Sequence, residues 1–431
     1  MKKRLPALTI LLVLSFLLTA CSLQELPLIG GMLGNLGIGG GGGLGGPVTL
    51  TMWGVWEDSA VMQVLIDKYQ EENPNVVINY EDRSVMKPLV DYKTRVYARL
   101  DQDDSPDIIR VHNSWVPLMS SKLASMPGGV MDIQTYNEAF YPVAVQSGVV
   151  DNKIYALPTY YDGLVLLYNK DHFREIGQQE PPTAWEELRR LALELSIRDK
   201  EGLVRGGVSM GNASNIEHFA DILGLMFAQA EISIPEDLDT KAAKDALLFY
   251  TNFINEDGVW NDLFPEANTA FANGQVSMIF APSWRILDII AQAPALDFGV
   301  APVPQVYLDK PVCWGSFWMD VVSAKSSNSK AAWEFLNWLS AEEQQLFIFE
   351  EAAQYRGFGA PYSRVSLAEE LELNDYLQPI VAGAPYAVSN DLAARAGNAK
   401  QVDALAEAVE SVLAGENVDT AMKSAKAALS Q

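Results

Sequence analysis

From residue 48 onward the chain switches between two hydrophobic periods. Val48-Thr49-Leu50-Thr51-Met52-Trp53 alternates apolar and polar positions, the period of a strand. Residues 59–72 carry Val61, Met62, Leu65, Ile66 and Tyr69 at helical spacing, and Asn73-Pro74-Asn75 stops that run. A second strand is predicted over 76–80, a helix over 88–100 and a third strand over 107–111. This order predicts parallel α/β units. The same grammar returns later. Strands are expected at 154–157, 164–168, 206–210, 276–280 and 298–302, and helices at 185–195, 216–227, 242–254 and 330–339. Thr183 is placed to cap the 185–195 helix, with Glu186 closing a capping box.

The chain start follows neither period. Lys2, Lys3 and Arg4 precede an almost wholly apolar run over 5–18, which ends at Leu18-Thr19-Ala20-Cys21. Charged start, apolar stretch and small residues form the layout of a secretory signal. The run is shorter than the roughly 20 residues that cross a bilayer. With cysteine at the cut site it resembles a bacterial lipoprotein signal. That resemblance implies removal of residues 1–20, acylation of the Cys21 thiol by a palmitate-type lipid, and a body held outside the cytoplasm on a membrane. Residues 21–47 then read as the lipidated cysteine and a flexible tether. Eleven of the nineteen residues over 29–47 are glycine, a composition that behaves as a coil with a reach on the order of 25–30 Å.

Composition narrows the function classes. The 431 residues, 49% of them hydrophobic, suffice for two or three cored domains. The net charge of -24 becomes near -27 once the three basic residues of the signal are removed. Such a surface repels nucleic acid and anionic lipid. With Cys21 acylated, Cys313 has no partner for a disulfide. His112, His172 and His218 lack ligand spacing, so no metal or cofactor is expected. Gly207-Val208-Ser209-Met210-Gly211 fits a nucleophile elbow. The only later histidine, His218, follows too closely to complete a triad.

Five stretches, in order, resemble the bacterial extracellular solute-binding proteins of the sugar-binding kind. They are Ser105-Pro106-Asp107-Ile108-Ile109; Asp151 to Pro158 with Leu167-Tyr168-Asn169-Lys170-Asp171; Pro182-Thr183 with Trp185-Glu186-Glu187-Leu188; Phe271 to Trp284; and Ala332-Trp333-Glu334-Phe335-Leu336. Asn152 stands where relatives often have glycine, and Cys313-Trp314-Gly315-Ser316-Phe317-Trp318 replaces a glycine-rich stretch. The resemblance implies a two-lobed periplasmic-binding-protein type II fold, with two α/β domains, a multi-segment hinge and a ligand cleft. Residues 48–160 with 313–345 would form the N-terminal lobe, and 161–312 with 346–431 the C-terminal lobe. Crossings are implied near 160–164, near 311–315 and after the 330–339 helix. It further implies no catalytic residues, hinge closure on the solute, and transfer to the permease subunits of an ABC importer. The chain is expected to act as a monomer.

The ligand class is argued from tryptophan placement. Sugar rings stack apolar C–H faces on aromatic rings, and their hydroxyls need polar partners at the rim. In open α/β sheets the loops after the strands line the crevice. Trp53, Trp56 and Glu57 follow the first strand, and Asn113 and Trp115 the third. Tyr161 and Asp162 lie at the first crossing, Trp284 and Arg285 after the 276–280 strand, and Trp314 and Trp318 near the second crossing. These eleven residues are the expected ligand-binding set for a carbohydrate. A secreted glycan-degrading enzyme, or a glycan-binding adhesin or sensor, is the competing reading.

Overall fold

The alternation at residue 48 becomes an inner strand, Val48–Gly54, which buries Leu50, Met52 and Gly54. In the computed structural model the described residues are 47–57, 59–84, 91–393 and 397–430. The signal peptide, Cys21 and the glycine tether lie outside them. The Val48–Gly54 strand pairs in parallel with Val76–Asp82 on one side and Ile108–His112 on the other. Trp318–Val322 then adds antiparallel to Ile108–His112, and Ala156–Leu157 closes the far edge. The Ser59–Glu72 helix buries the five apolar residues of its stripe against this sheet. Tyr69 meets Phe335 edge-on and Trp338 at a tilt, tying in the late helix Ser329–Leu339.

A second, smaller sheet has Val165–Asn169 at its centre, with Met278–Ala281 and Phe298–Ala301 antiparallel on either side. The parallel expectation therefore fails here. The central strand leaves the first crossing, and both neighbours return against it from helices. Trp185–Leu195 forms as expected. Its cap does not. The N-cap is Ala184 without a side-chain bond, and Glu187, one residue beyond the expected Glu186, accepts from the Thr183 backbone N–H at 3.1 Å. The strand expected over 206–210 reduces to a bridge between Gly206 and Val276.

Three segments cross between these two α/β lobes. Gly163 bridges Gly315, and Cys313–Trp314 runs parallel to Ala387–Val388, so the crossings form a narrow ribbon. Glycine is required at 163. A Cβ there would sit 2.7 Å from the Trp314 carbonyl oxygen. The assignment of 346–431 to the C-terminal lobe needs correction over 361–371. Ser363 donates to the Pro158 carbonyl at 2.9 Å, Arg364 bridges Phe140, and Val365–Leu371 packs on the Ile133–Ala139 helix of the first lobe. The helix Glu342–Ala353, absent from the expected elements, packs on the Ser59–Glu72 and Ser329–Leu339 helices of the first lobe. Its Glu343 pairs with Lys68 at 2.5 Å.

Candidate functional site

The first-lobe half of the site starts from one charged residue inside an apolar strand. In Asp107-Ile108-Ile109-Arg110-Val111 the arginine points the same way as its register partner Asp320 on the antiparallel neighbour. Its Nε and Nη2 donate to the two Asp320 oxygens at 2.9 and 2.6 Å, and Nη2 also donates to Thr159 Oγ1 at 3.0 Å. Nη1 meets the Glu57 carboxylate. The Tyr160 ring lies 5.6 Å from the guanidinium carbon. Arg110 is 1% exposed and Asp320 fully buried. Burial alone would lower the arginine's pKa, but the Asp320 charge and hydrogen bonds outweigh it and hold the pKa above its usual value. One guanidinium thus faces two carboxyl groups, with Glu57 at the more exposed edge of the cluster. Beside it Trp56 adopts φ 70°, a left-handed conformation costly for a bulky residue. Its backbone N–H donates to Ser84 Oγ at 2.6 Å and its indole is 53% exposed. The loop thus holds an aromatic face out to solvent.

The second-lobe half is reached two residues along the crossing. Asp162 accepts from Ser283 Oγ at 2.7 Å and from the Ser283 N–H at 3.1 Å, at the first turn of the Ser283–Gln292 helix. Trp284 follows, 44% exposed, with the Arg285 guanidinium 4.1 Å from its ring and His218 5.8 Å away. Arg285 Nε donates to Glu217 at 2.7 Å. His218 pairs with Asp221 at 3.0 Å, and Asp221 accepts from Trp314 Nε1 at 2.8 Å. An exposed aromatic again stands on a buried, charge-paired base. Thr159 to Asp162 joins the two halves.

The structure therefore separates the expected residues. Trp56, Trp284, Glu57, Asp162 and Arg285 belong to the two clusters. Trp53 is sandwiched by Arg83 at 4.1 Å, with Arg99 at 5.8 Å. Trp115 is buried against Trp318, His112 and Tyr92, with ring centroids 5.4–6.3 Å apart. Asn113 is buried, donating to Ser147 and accepting from the Phe317 N–H. Tyr161 packs on Tyr141 and Phe317, and Trp314 is buried against Gly224. Arg110, Asp320, Thr159, Glu217 and Ser283 were not among the expected residues. The signal for Arg110 is visible, a lone charge within Ile-Ile-Arg-Val. Asp320 and Glu217 carry none, because register and a distant loop bring them in. Burial pushes the Cys313 thiol up to about 11, a packed and unreactive group. No cluster of metal-ligating side chains occurs among the described residues, and none of their helices is long and apolar enough to cross a membrane.

Asp162 gives the site a pH signature. Burial is the largest influence and pushes it up to about 6, against hydrogen bonds from Ser283 and Gly163 that favour the charged form. The folded protein thus keeps a proton that the unfolded chain, near 3.8, releases. Stability is expected to fall as pH rises from about 4 to about 6 and then to level off in this contribution. Asp162→Asn should flatten that fall, measured as urea midpoints across the window. An unchanged slope would remove Asp162 as its origin.

Comparison with known proteins gives a consistent picture. The family described as bacterial extracellular solute-binding protein matches residues 53–346. A putative binding protein of Brucella abortus (strain 2308) is 23% identical over 283 residues, covering 63% of this chain and 66% of that protein. A maltotriose-binding protein of Pyrococcus abyssi is 22% identical over 340 residues, covering 77% of this chain and 69% of that one. The crystal structure of a cyclic α-maltosyl-1,6-maltose binding protein from Arthrobacter globiformis superposes with a TM-score of 0.72 at 22% identity, over 89% of this chain and 98% of the other. That likeness shows the type II periplasmic-binding fold.

Proposed function

Because the chain belongs to the bacterial extracellular solute-binding proteins, binding proteins rather than enzymes, we propose that it captures a carbohydrate, an oligosaccharide, and delivers it to an ABC importer. The observation that carries this reading is the pair of exposed indoles, Trp56 and Trp284, one on each lobe. Each is backed by charged side chains already held in place, so a sugar finds stacking faces and polar rims with little reordering. The crossing ribbon lets the lobes close by a hinge, and the closed form is what the permease subunits recognise. The similarity to the Pyrococcus maltotriose-binding protein and the Arthrobacter cyclic maltosyl-maltose binding protein supports a glucan-type ligand.

The protein works outside the cytoplasm, as a monomer, held at the membrane by lipid on Cys21. The signal-like residues 1–20 and the glycine-rich 29–47 support this address. Cys21→Ser is expected to move most of the chain from the membrane fraction to the medium or periplasm. Retention at the membrane would argue against the lipid. The ligand assignment is tested by tryptophan fluorescence titration with mono- and oligosaccharides, with a peptide and a polyamine as controls. A saturable response to a sugar alone is expected. Tight binding of a control with no sugar response would overturn the reading.

A further inference from the structure

The crossing ribbon has two edges. Gly163, next to Asp162, forms one edge, and Ala387–Val388 forms the other. The clusters above belong to the first edge. Beyond the second edge lies a cavity of about 390 Å³, walled by the first lobe at Gln146, by the second at Pro235, Gln401 and Leu429, and by Ser389 and Asp391 of the third crossing. Its volume falls in the range of small-molecule sites.

Three features of its walls point to a ligand. Ser389 lines the wall half-buried, and its Oγ has neither a hydrogen-bond partner among the described residues nor accessible surface, so a change of its side-chain rotamer is what would present it to a ligand. Gln146 and Gln401 line the same space, together with the apolar Pro235 and Leu429. Among the described residues the wall carries one ionisable group. Asp391 stands in the wall, and burial raises its pKa while the nearby Lys93 charge counters it. Lys93 is itself anchored on Asn398 at 2.6 Å. Hydroxyl and amide groups with little net charge suit neither a free anion nor a free cation. They match a neutral polyhydroxyl compound, whose groups both donate and accept.

The geometry points to a second binding site in this cavity, separate from the Trp56–Trp284 cleft, for a neutral polyhydroxyl ligand of mono- or disaccharide size. The site rests only on the cavity and its walls, so it stands or falls apart from the cleft assignment.

The test is equilibrium dialysis of the full chain with radiolabelled glucose, maltose and maltotriose, at ligand concentrations up to the millimolar range. Five forms are compared: wild type, Trp284→Ala, Gln146→Leu with Gln401→Leu, all three of these changes together, and Ser389→Ala. Circular dichroism and melting confirm folding, and Ser389→Ala serves as a gentler cavity variant. Two events are expected in the wild type. Trp284→Ala should remove the tighter one, and the cavity changes should weaken the other at least tenfold while altering the tighter one less than twofold. A single event lost in Trp284→Ala overturns the second site and leaves the cleft. A single event that survives Trp284→Ala and is lost with the glutamines overturns the cleft reading and leaves the second site. No event at all overturns both.

Discussion

Trp284→Ala is expected to weaken saccharide binding by roughly thirtyfold, about 2 kcal/mol, the loss typical of a central aromatic contact. The indole is 44% exposed, so its removal costs the fold little, unlike truncation of a core tryptophan. Its base is rigid. Ser283, one residue before it, is bonded twice to Asp162, and Arg285, one residue after it, is held by Glu217 and Asp288. The ring therefore loses little freedom when a sugar stacks on it. Trp284→Phe keeps part of the stacking face and should recover most of the affinity. Isothermal titration of the three proteins checks the order. Equal weakening by Phe and Ala would show that the ring's flat face is not what binds. Trp115→Ala is the contrast. That ring is buried among Trp318, His112 and Tyr92, so its loss should lower the melting temperature as well as any affinity.

That contrast marks what the sequence could and could not convey. Helical stripes were legible because one face of each helix must bury. Val61, Met62, Leu65, Ile66 and Tyr69 all do so. The three parallel strands of the first sheet were legible for the same reason, whereas the antiparallel Trp318–Val322 strand was not among the expected ones. Strand-end position alone could not sort the tryptophans, because a loop after a strand can turn its ring outward or into the next layer. Trp56 turns outward at φ 70°, a conformation no local pattern announces. Trp115 turns inward because Gly397, far along the chain, leaves room for it. A Cβ at Gly397 would lie 2.0 Å from the Trp115 ring. The charged bases under the exposed indoles were illegible because they are made by pairing between distant stretches, 210 residues apart for Arg110 and Asp320, 121 for Asp162 and Ser283 and 68 for Glu217 and Arg285.

The same pairing makes Arg110 the position where a single change should cost the fold most. Breaking a buried ion pair by removing one partner typically costs about 3–5 kcal/mol, because the remaining charge is left without compensation. The three members differ in what they leave behind. Glu57→Gln leaves Arg110 with Asp320 still bidentate, so its cost should be small. Asp320→Asn leaves Arg110 with Glu57 alone, in a place where burial disfavours the cation. Arg110→Met leaves two carboxylates facing each other, one of them fully buried. It should cost the most, lowering the melting temperature by roughly 5–15 °C. Combining Arg110→Met with Asp320→Leu removes the buried anion as well and should recover part of the loss, as replacing a buried pair by apolar groups often does. Calorimetry and urea unfolding of the four variants measure the order. If Glu57→Gln proved as damaging as Arg110→Met, Glu57 rather than Asp320 would be the partner that holds the cation. The cluster would then be a feature of the cleft rim more than of the core. If the predicted order holds, the Glu57 edge is free to meet a sugar hydroxyl while Asp320 keeps the arginine in place.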